Sequence, residues 1–135
     1  MEIKKAETLP IHSSPDLVKV RQLVRAWAIE LGFSLVDQTK LVTAASELAR
    51  NTLDYGKGGA AKLEALLDGF RKGLRLTFED KGPGIPDIAK ALTDGFTTGG
   101  GMGLGLGGAK RLSHEFEIDS KPGEGTRVTI TRWKG

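Results

Sequence analysis

The chain has 135 residues, 39% of them hydrophobic and 27% charged, which fits one soluble globular domain spanning residues 1–135. It has no cysteine and two histidines, so disulfide frameworks, thiolate chemistry and histidine-rich metal centres are excluded. The net charge of +3 comes from scattered basic residues without a run or an aromatic array. No apolar run approaches the ~18 residues of a membrane span, and the N-terminal residues do not read as a signal peptide. Neither nucleic acid nor a membrane is therefore an expected partner, and the expected location is the cytoplasm.

Residues 2–11 alternate in polarity and predict an edge strand ended by Pro10. Ser14-Pro15-Asp16 predicts a helix start, with Ser14 capping, proline in the first turn and an acid at the positive end. Leu17, Val20, Val24, Trp27, Ala28 and Leu31 recur at helical spacing until Gly32 stops the helix. Ser34 and Asp37 resemble a capping box opening a second helix that runs to about Tyr55, with Leu41, Ala44, Ala45, Leu48 and Thr52 inward. Gly56-Lys57-Gly58-Gly59 is a break. Leu63, Ala65 and Leu67 alternate, as do Leu74, Leu76 and Phe78, and Asp68-Gly69 and Gly73 between them predict a hairpin.

Residues 81–105 hold eight of the chain's 19 glycines and predict a long loop with one short helix near 87–92. A loop of that length in a compact domain calls for a functional reason. A further helix is expected from about Gly103 to His114. Phe116–Ile118 and Val128–Ile130 then predict a closing hairpin around Lys121–Gly125. Two helices, a hairpin, a loop, a helix and a hairpin pack most simply as an α/β (α+β) two-layer sandwich. Its sheet should be mixed, mostly antiparallel, with the helices on one face.

Four segments carry polar chemistry. Glu47 and Asn51 are four apart in the second helix and share a face close to its apolar stripe. Strand alternation puts Asp80 on the same side as Leu74, Leu76 and Phe78, so its carboxylate points toward the core at a strand end. A charge there needs a donor, supplied either by a local backbone amide in the Gly82-Pro83-Gly84 turn or by a ligand such as the exocyclic amine of a base. Glycines 99–108 precede a helix and expose backbone amides suited to phosphate. Gly103, Gly105 and Gly108 satisfy the dinucleotide-fold string, but they follow the polar stretch 93–98 instead of an apolar strand, so that fold is rejected. Gly123-Glu124-Gly125-Thr126 alone reads as a hairpin turn.

Taken together, in this order, the four segments resemble the asparagine box and the three glycine boxes of the GHKL ATPases, the superfamily of DNA gyrase, histidine kinases and MutL. The patterns are Glu-x-x-x-Asn, Asp-x-Gly-x-Gly, Gly-x-Gly-Leu-Gly-Leu and Gly-x-Gly-Thr, spanning residues 47–126. The chain is too short for the large ATPases and lacks a helix pair bearing a phospho-acceptor histidine. It looks most like the stand-alone serine/threonine switch kinases of the bacterial stressosome, the RsbT-like group.

That resemblance implies a Bergerat fold with a glycine-rich ATP lid over about residues 87–101, and ATP and Mg²⁺ as cofactors. It implies Glu47 as catalytic base and Asn51 as the Mg²⁺ ligand. Asp80 would accept from the adenine amine, with Thr126 beside it and Gly82, Gly84 and Ile85 closing on the base. Gly101, Met102, Gly103, Leu104, Gly105 and Leu106 would hold the phosphates, with Thr97 and Thr98 as hydroxyl donors on the lid and Lys57 or Lys110 as further phosphate contacts. Tyr55 departs from the histidine that many relatives carry after the asparagine. The implied partners are STAS-domain proteins (RsbS- or RsbR-like) as substrates and a PP2C-type phosphatase (RsbU-like) as the protein activated on release. The alternatives are an anti-sigma factor that sequesters a sigma subunit and a nucleotide-dependent interaction protein with negligible transfer. His12 and His114 have no implied role and are expected at the surface or internally satisfied.

Overall fold

A computed structural model describes residues 1–85 and 105–134. The elements run β1 (Glu2–Ile11), α1 (Ser14–Glu30), α2 (Leu35–Asp54), β2 (Gly59–Asp68), β3 (Arg71–Asp80), α3 (Gly105–Arg111), β4 (Glu115–Lys121) and β5 (Gly125–Trp133). The predicted helix near 87–92 and the predicted lid fall outside the described residues.

The five strands form one sheet in the order β1-β2-β3-β5-β4. Every pairing is antiparallel, so the described sheet is not mixed. The physical reason is local connectivity. β2 and β3 are joined by the two-residue turn Gly69-Phe70, and β4 and β5 by a short turn at residues 122–124. β1 is an edge strand, as its pattern predicts. Pro10 sits within it, opposite Ala60, where an edge position tolerates the missing donor.

Both helix starts were read from side-chain caps, and one is built differently. The N-cap of α1 is Ser13, not Ser14, and its hydroxyl makes no capping bond. Asp16 instead reaches back, accepting the His12 backbone N–H at 2.8 Å. The start of α2 matches its pattern, with Ser34 Oγ accepting the Asp37 N–H at 3.1 Å. Gly32 ends α1 at φ +85°, with its N–H on Ile29 O and the next N–H, from Phe33, on Ala28 O.

The apolar stripes of α1 and α2 meet the inward residues of the sheet. Val20, Val24 and Ala28 pack with Leu41, Ala44 and Leu48 over Leu63, Leu74, Leu76, Phe78 and Ile130 in one core. α3 lies on α2 and buries Leu106 and Ala109. It stops at Arg111, short of the predicted His114. The Ser113 hydroxyl turns back to Ala109 O at 2.7 Å, and the His114 N–H already pairs with Thr131 O to begin β4. The other face of the sheet carries a polar band, including the bidentate Arg75–Glu64 pair at 2.9 and 3.2 Å. No helix among the described residues is long and apolar enough to cross a membrane.

Candidate functional site

Glu47 and Asn51 lie on successive turns of α2. Glu47 is only 4% exposed, on the side of the helix that also buries Leu48 and Thr52, whereas Asn51 is half-buried. The end of the helix is closed by the Asn51 carbonyl, which accepts the N–H groups of both Tyr55 and Gly56 at 3.0 Å. The chain therefore turns immediately below Asn51 and delivers Gly56 against the end of β3.

Asp80 is the last residue of β3, and its carboxylate lies across Gly56. A Cβ on Gly56 would stand 2.2 Å from Asp80 Cγ and 2.6 Å from Asp80 Cβ. Asp80 Oδ1 accepts the Gly82 N–H at 2.9 Å. Burial pushes the Asp80 carboxyl above its usual range and Glu79 adds to that, while the amides of Gly82 and Thr126 pull the other way. The two alternatives left open by the sequence are thus partly decided: a local amide does serve this carboxylate.

The glycines around Asp80 close on the chain itself. A Cβ on Gly82 would meet Gly56 Cα at 2.7 Å, and one on Gly84, at φ +78°, would meet Lys121 O at 2.2 Å. Across the ladder Asp80 faces Thr126. The Thr126 hydroxyl is 2.8 Å from Ser120 Oγ, which also accepts the Ile85 N–H at 2.8 Å and bonds Gly125 O at 3.1 Å. Asp80, Gly82, Gly84, Ile85 and Thr126 are therefore drawn together at one end of the sheet. Thr97, Thr98, Gly101, Met102, Gly103 and Leu104 lie outside the described residues. Gly105 and Leu106 open α3, which rests on the helix that carries Glu47 and Asn51.

Sequence reasoning missed three residues that shape this region. Gly56 was read as part of a break, although a glycine directly after a helix end is a signal of close backbone approach. Ser120 fastens the turn after Asp80 to β4, a contact across 35 positions with no local signature. Arg132 is a buried guanidinium between α2 and α3, described below. Lys57 holds a left-handed conformation, φ +62°, and Lys110 is exposed. His12 is exposed, and His114 Nδ1 accepts the Trp133 N–H at 2.8 Å, a structural role.

Among the described residues no group of three or more His, Asp or Glu side chains could by itself hold a metal ion. The arrangement offers one amide oxygen, on Asn51, beside a buried carboxylate. That donor set suits a hard cation held mainly by substrate phosphates and water, with a single protein ligand.

The family model for histidine kinase-, DNA gyrase B-, and HSP90-like ATPases matches residues 36–134. The chain is 51% identical over 118 residues to the serine/threonine-protein kinase RsbT of Bacillus subtilis, covering 87% of this chain and 89% of that one. It is 33% identical over 123 residues to an anti-sigma F factor of a Thermoanaerobacter species, covering 85% and 83% of the two chains. Among solved structures, the RsbU and RsbW domains of a Mycobacterium tuberculosis protein superpose with a TM-score of 0.66 at 22% identity. That match covers 98% of this chain but spans a third (33%) of the other. The SiaB–SiaC complex of Pseudomonas aeruginosa matches with a TM-score of 0.55 at 13% identity, covering 97% of this chain and 90% of that chain. These two likenesses concern the fold.

Proposed function

Since the chain belongs to the family of histidine kinase-, DNA gyrase B-, and HSP90-like ATPases, we propose that it is a partner-switching kinase whose protein substrates carry STAS domains. Its reaction is transfer of the γ-phosphoryl group of ATP to a protein serine or threonine. The observation that carries this reading is the 51% identity with a serine/threonine-protein kinase over 87% of the chain, Glu47 and Asn51 included in the region that the family model matches.

In the proposed mechanism Asp80 accepts from the adenine amine, its charged form supported by the amides of Gly82 and Thr126. Gly84 and Ile85 hold the turn beside it through Lys121 and Ser120. Gly101, Met102, Gly103, Leu104, Gly105 and Leu106 would supply amides to the phosphates, with Thr97 and Thr98 as hydroxyl donors. Asn51 would hold Mg²⁺, and the ion would supply charge neutralisation at the phosphates. Glu47, buried on α2, takes the proton of the acceptor hydroxyl as its oxygen bonds to the γ-phosphorus and ADP leaves.

The reading continues to partners: RsbS- or RsbR-like STAS proteins as substrates, and an RsbU-like PP2C phosphatase activated by the released kinase. Its test is a radiolabelled γ-phosphate transfer assay with Mg²⁺-ATP and purified STAS proteins, with Glu47→Ala as control. Label on serine or threonine that vanishes in the variant supports the kinase. Retention of a sigma subunit without transfer would favour the anti-sigma alternative, which the 33% identity to an anti-sigma F factor keeps in view.

A further inference from the structure

Arg132 stands near the end of β5 and is buried, 9% exposed, on the helix side of the sheet. Nη2 donates to Asp37 Oδ1 at 2.8 Å, in the first turn of α2. Nη1 donates to Leu112 O at 2.7 Å, directly after α3. The strand beneath is stiffly held: the flanking residues Thr131 and Trp133 are both bonded to His114, Thr131 O to its N–H at 2.9 Å and the Trp133 N–H to its Nδ1 at 2.8 Å. A planar guanidinium suits this role because its N–H fork addresses two acceptors at fixed angles. Asp37 and Arg132 are 95 positions apart, so this connection spans the domain.

The two helices it ties are those that carry the proposed chemistry. From Asp37, α2 runs about 15 Å to Glu47. From Leu112, α3 runs back about 10 Å to Gly105. We infer that Arg132 is a positioning residue: it fixes α3 on α2 from the end remote from the reaction, and so sets where the phosphates lie relative to Glu47 and Asn51. This rests on the reading of Gly105 and Leu106 as phosphate contacts. The adenine end is anchored separately, by Asp80, Gly82, Gly56 and Thr126, none of which touches the Arg132 fork. Loosening the fork therefore weakens the hold on phosphates and leaves the hold on the base intact.

The experiment is calorimetric titration of the full chain with adenosine, ADP and ATP, in wild type, Arg132→Lys and Asp37→Asn. Lysine keeps the charge but lacks the two-acceptor fork, so Arg132→Lys is expected to weaken ATP about tenfold while adenosine stays within about twofold. Asp37→Asn should shift ATP in the same direction by less, and in transfer assays both variants should raise KM for ATP more than KM for the protein substrate. Equal weakening of adenosine and ATP would reduce Arg132 to a structural residue and overturn the inference. Unchanged ATP affinity in folded Arg132→Lys would overturn it too. Should Arg132→Lys not fold by near-ultraviolet circular dichroism, the near-isosteric Asp37→Asn is judged by the same criterion. If wild type itself bound adenosine and ATP equally, the phosphate reading would fail first, and the strut would have nothing to position.

Discussion

Gly56→Ala isolates one close contact on which the adenine end depends. Gly56 has no left-handed φ, so alanine brings no backbone strain there and the whole effect is steric. The new methyl would lie 2.2 Å from the carboxyl carbon of Asp80 and 2.6 Å from its Cβ, so the entire side chain must move, not just its tip. Overpacking of this kind costs about 1–3 kcal/mol. For a chain of this length that lowers Tm by about 4 °C per kcal/mol. In the proposed mechanism a displaced Asp80 also loses the adenine amine, and a charged hydrogen bond is worth about 1.5–3 kcal/mol, more than tenfold in affinity. Gly69→Ala is the control: Gly69 sits at φ +64° with nothing within 4 Å, so alanine there costs strain of about 1 kcal/mol and no clash. Thermal melts and calorimetric titration with ADP should show Gly56→Ala losing stability and nucleotide together, and Gly69→Ala losing only stability. Wild-type ADP affinity in Gly56→Ala, or equal nucleotide loss in both variants, would refute the placement of Asp80.

Glu47→Ala should keep ATP affinity within about twofold and lose transfer by at least two orders of magnitude, the usual contribution of a general base; transfer at the normal rate would remove Glu47 from that role. Asp80→Asn should abolish nucleotide binding without lowering Tm at neutral pH, because burial already disfavours the charge at that position; a large drop in Tm would contradict this. Acid should destabilise the protein in two stages. Burial and then the nearby Arg132 charge depress the His114 pKa below 6.5, so the folded state prefers the neutral ring that accepts from Trp133. Its stabilising effect is present above pH 6.5 and is lost as pH falls through the lower folded value. Asp37 and Glu64, held below 3.8 and 4.5 by bonds to Arg132 and Arg75, contribute above those values and are lost as pH falls through their folded pKa values. Denaturant titrations of wild type and His114→Gln between pH 7 and pH 3 test this; an identical slope from pH 7 to pH 5 in both proteins would show that His114 is not the source of the first stage.

Local features were legible in the sequence to the extent that local physics decides them. The Ser34 cap, the Gly32 stop, the Asp68-Gly69 turn and the edge position of β1 each depend on a few neighbouring residues and appear where the patterns place them. The start of α1 was misread because two serines stand side by side and the acid, not a hydroxyl, makes the bond. β3 runs from Arg71 to Asp80, well beyond the apolar alternation at 74–78, because β2 pairs it along that whole length and β5 from Gly73 onward. Asp80 was recognisable from alternation alone, since the pleat decides its face. Gly56, Ser120 and Arg132 were not, because the contact that matters for each is remote in sequence and becomes near only once the elements have packed.

The two ends of the site are built from different materials, and this bears on how a switch kinase works. At the proposed adenine end, close backbone approaches (Gly82 on Gly56, Gly84 on Lys121, Gly125 on the Asp80 carbonyl) lie beneath the side-chain bonds of Asp80 and Ser120. Such backbone approaches have no rotamers to exchange and cannot yield without unfolding a turn. At the phosphate end α3 rests on α2 through the buried Leu106 and Ala109, and one arginine with two hydrogen bonds ties the far ends of the two helices. A partner that competes for Asp37 or presses on the exposed Leu35 and Val36 at the same helix start would reach α3 through that arginine without disturbing the base. The hold on the base and the hold on the phosphates are then separable, so a partner acting at this helix start would tune the phosphates and leave the base in place.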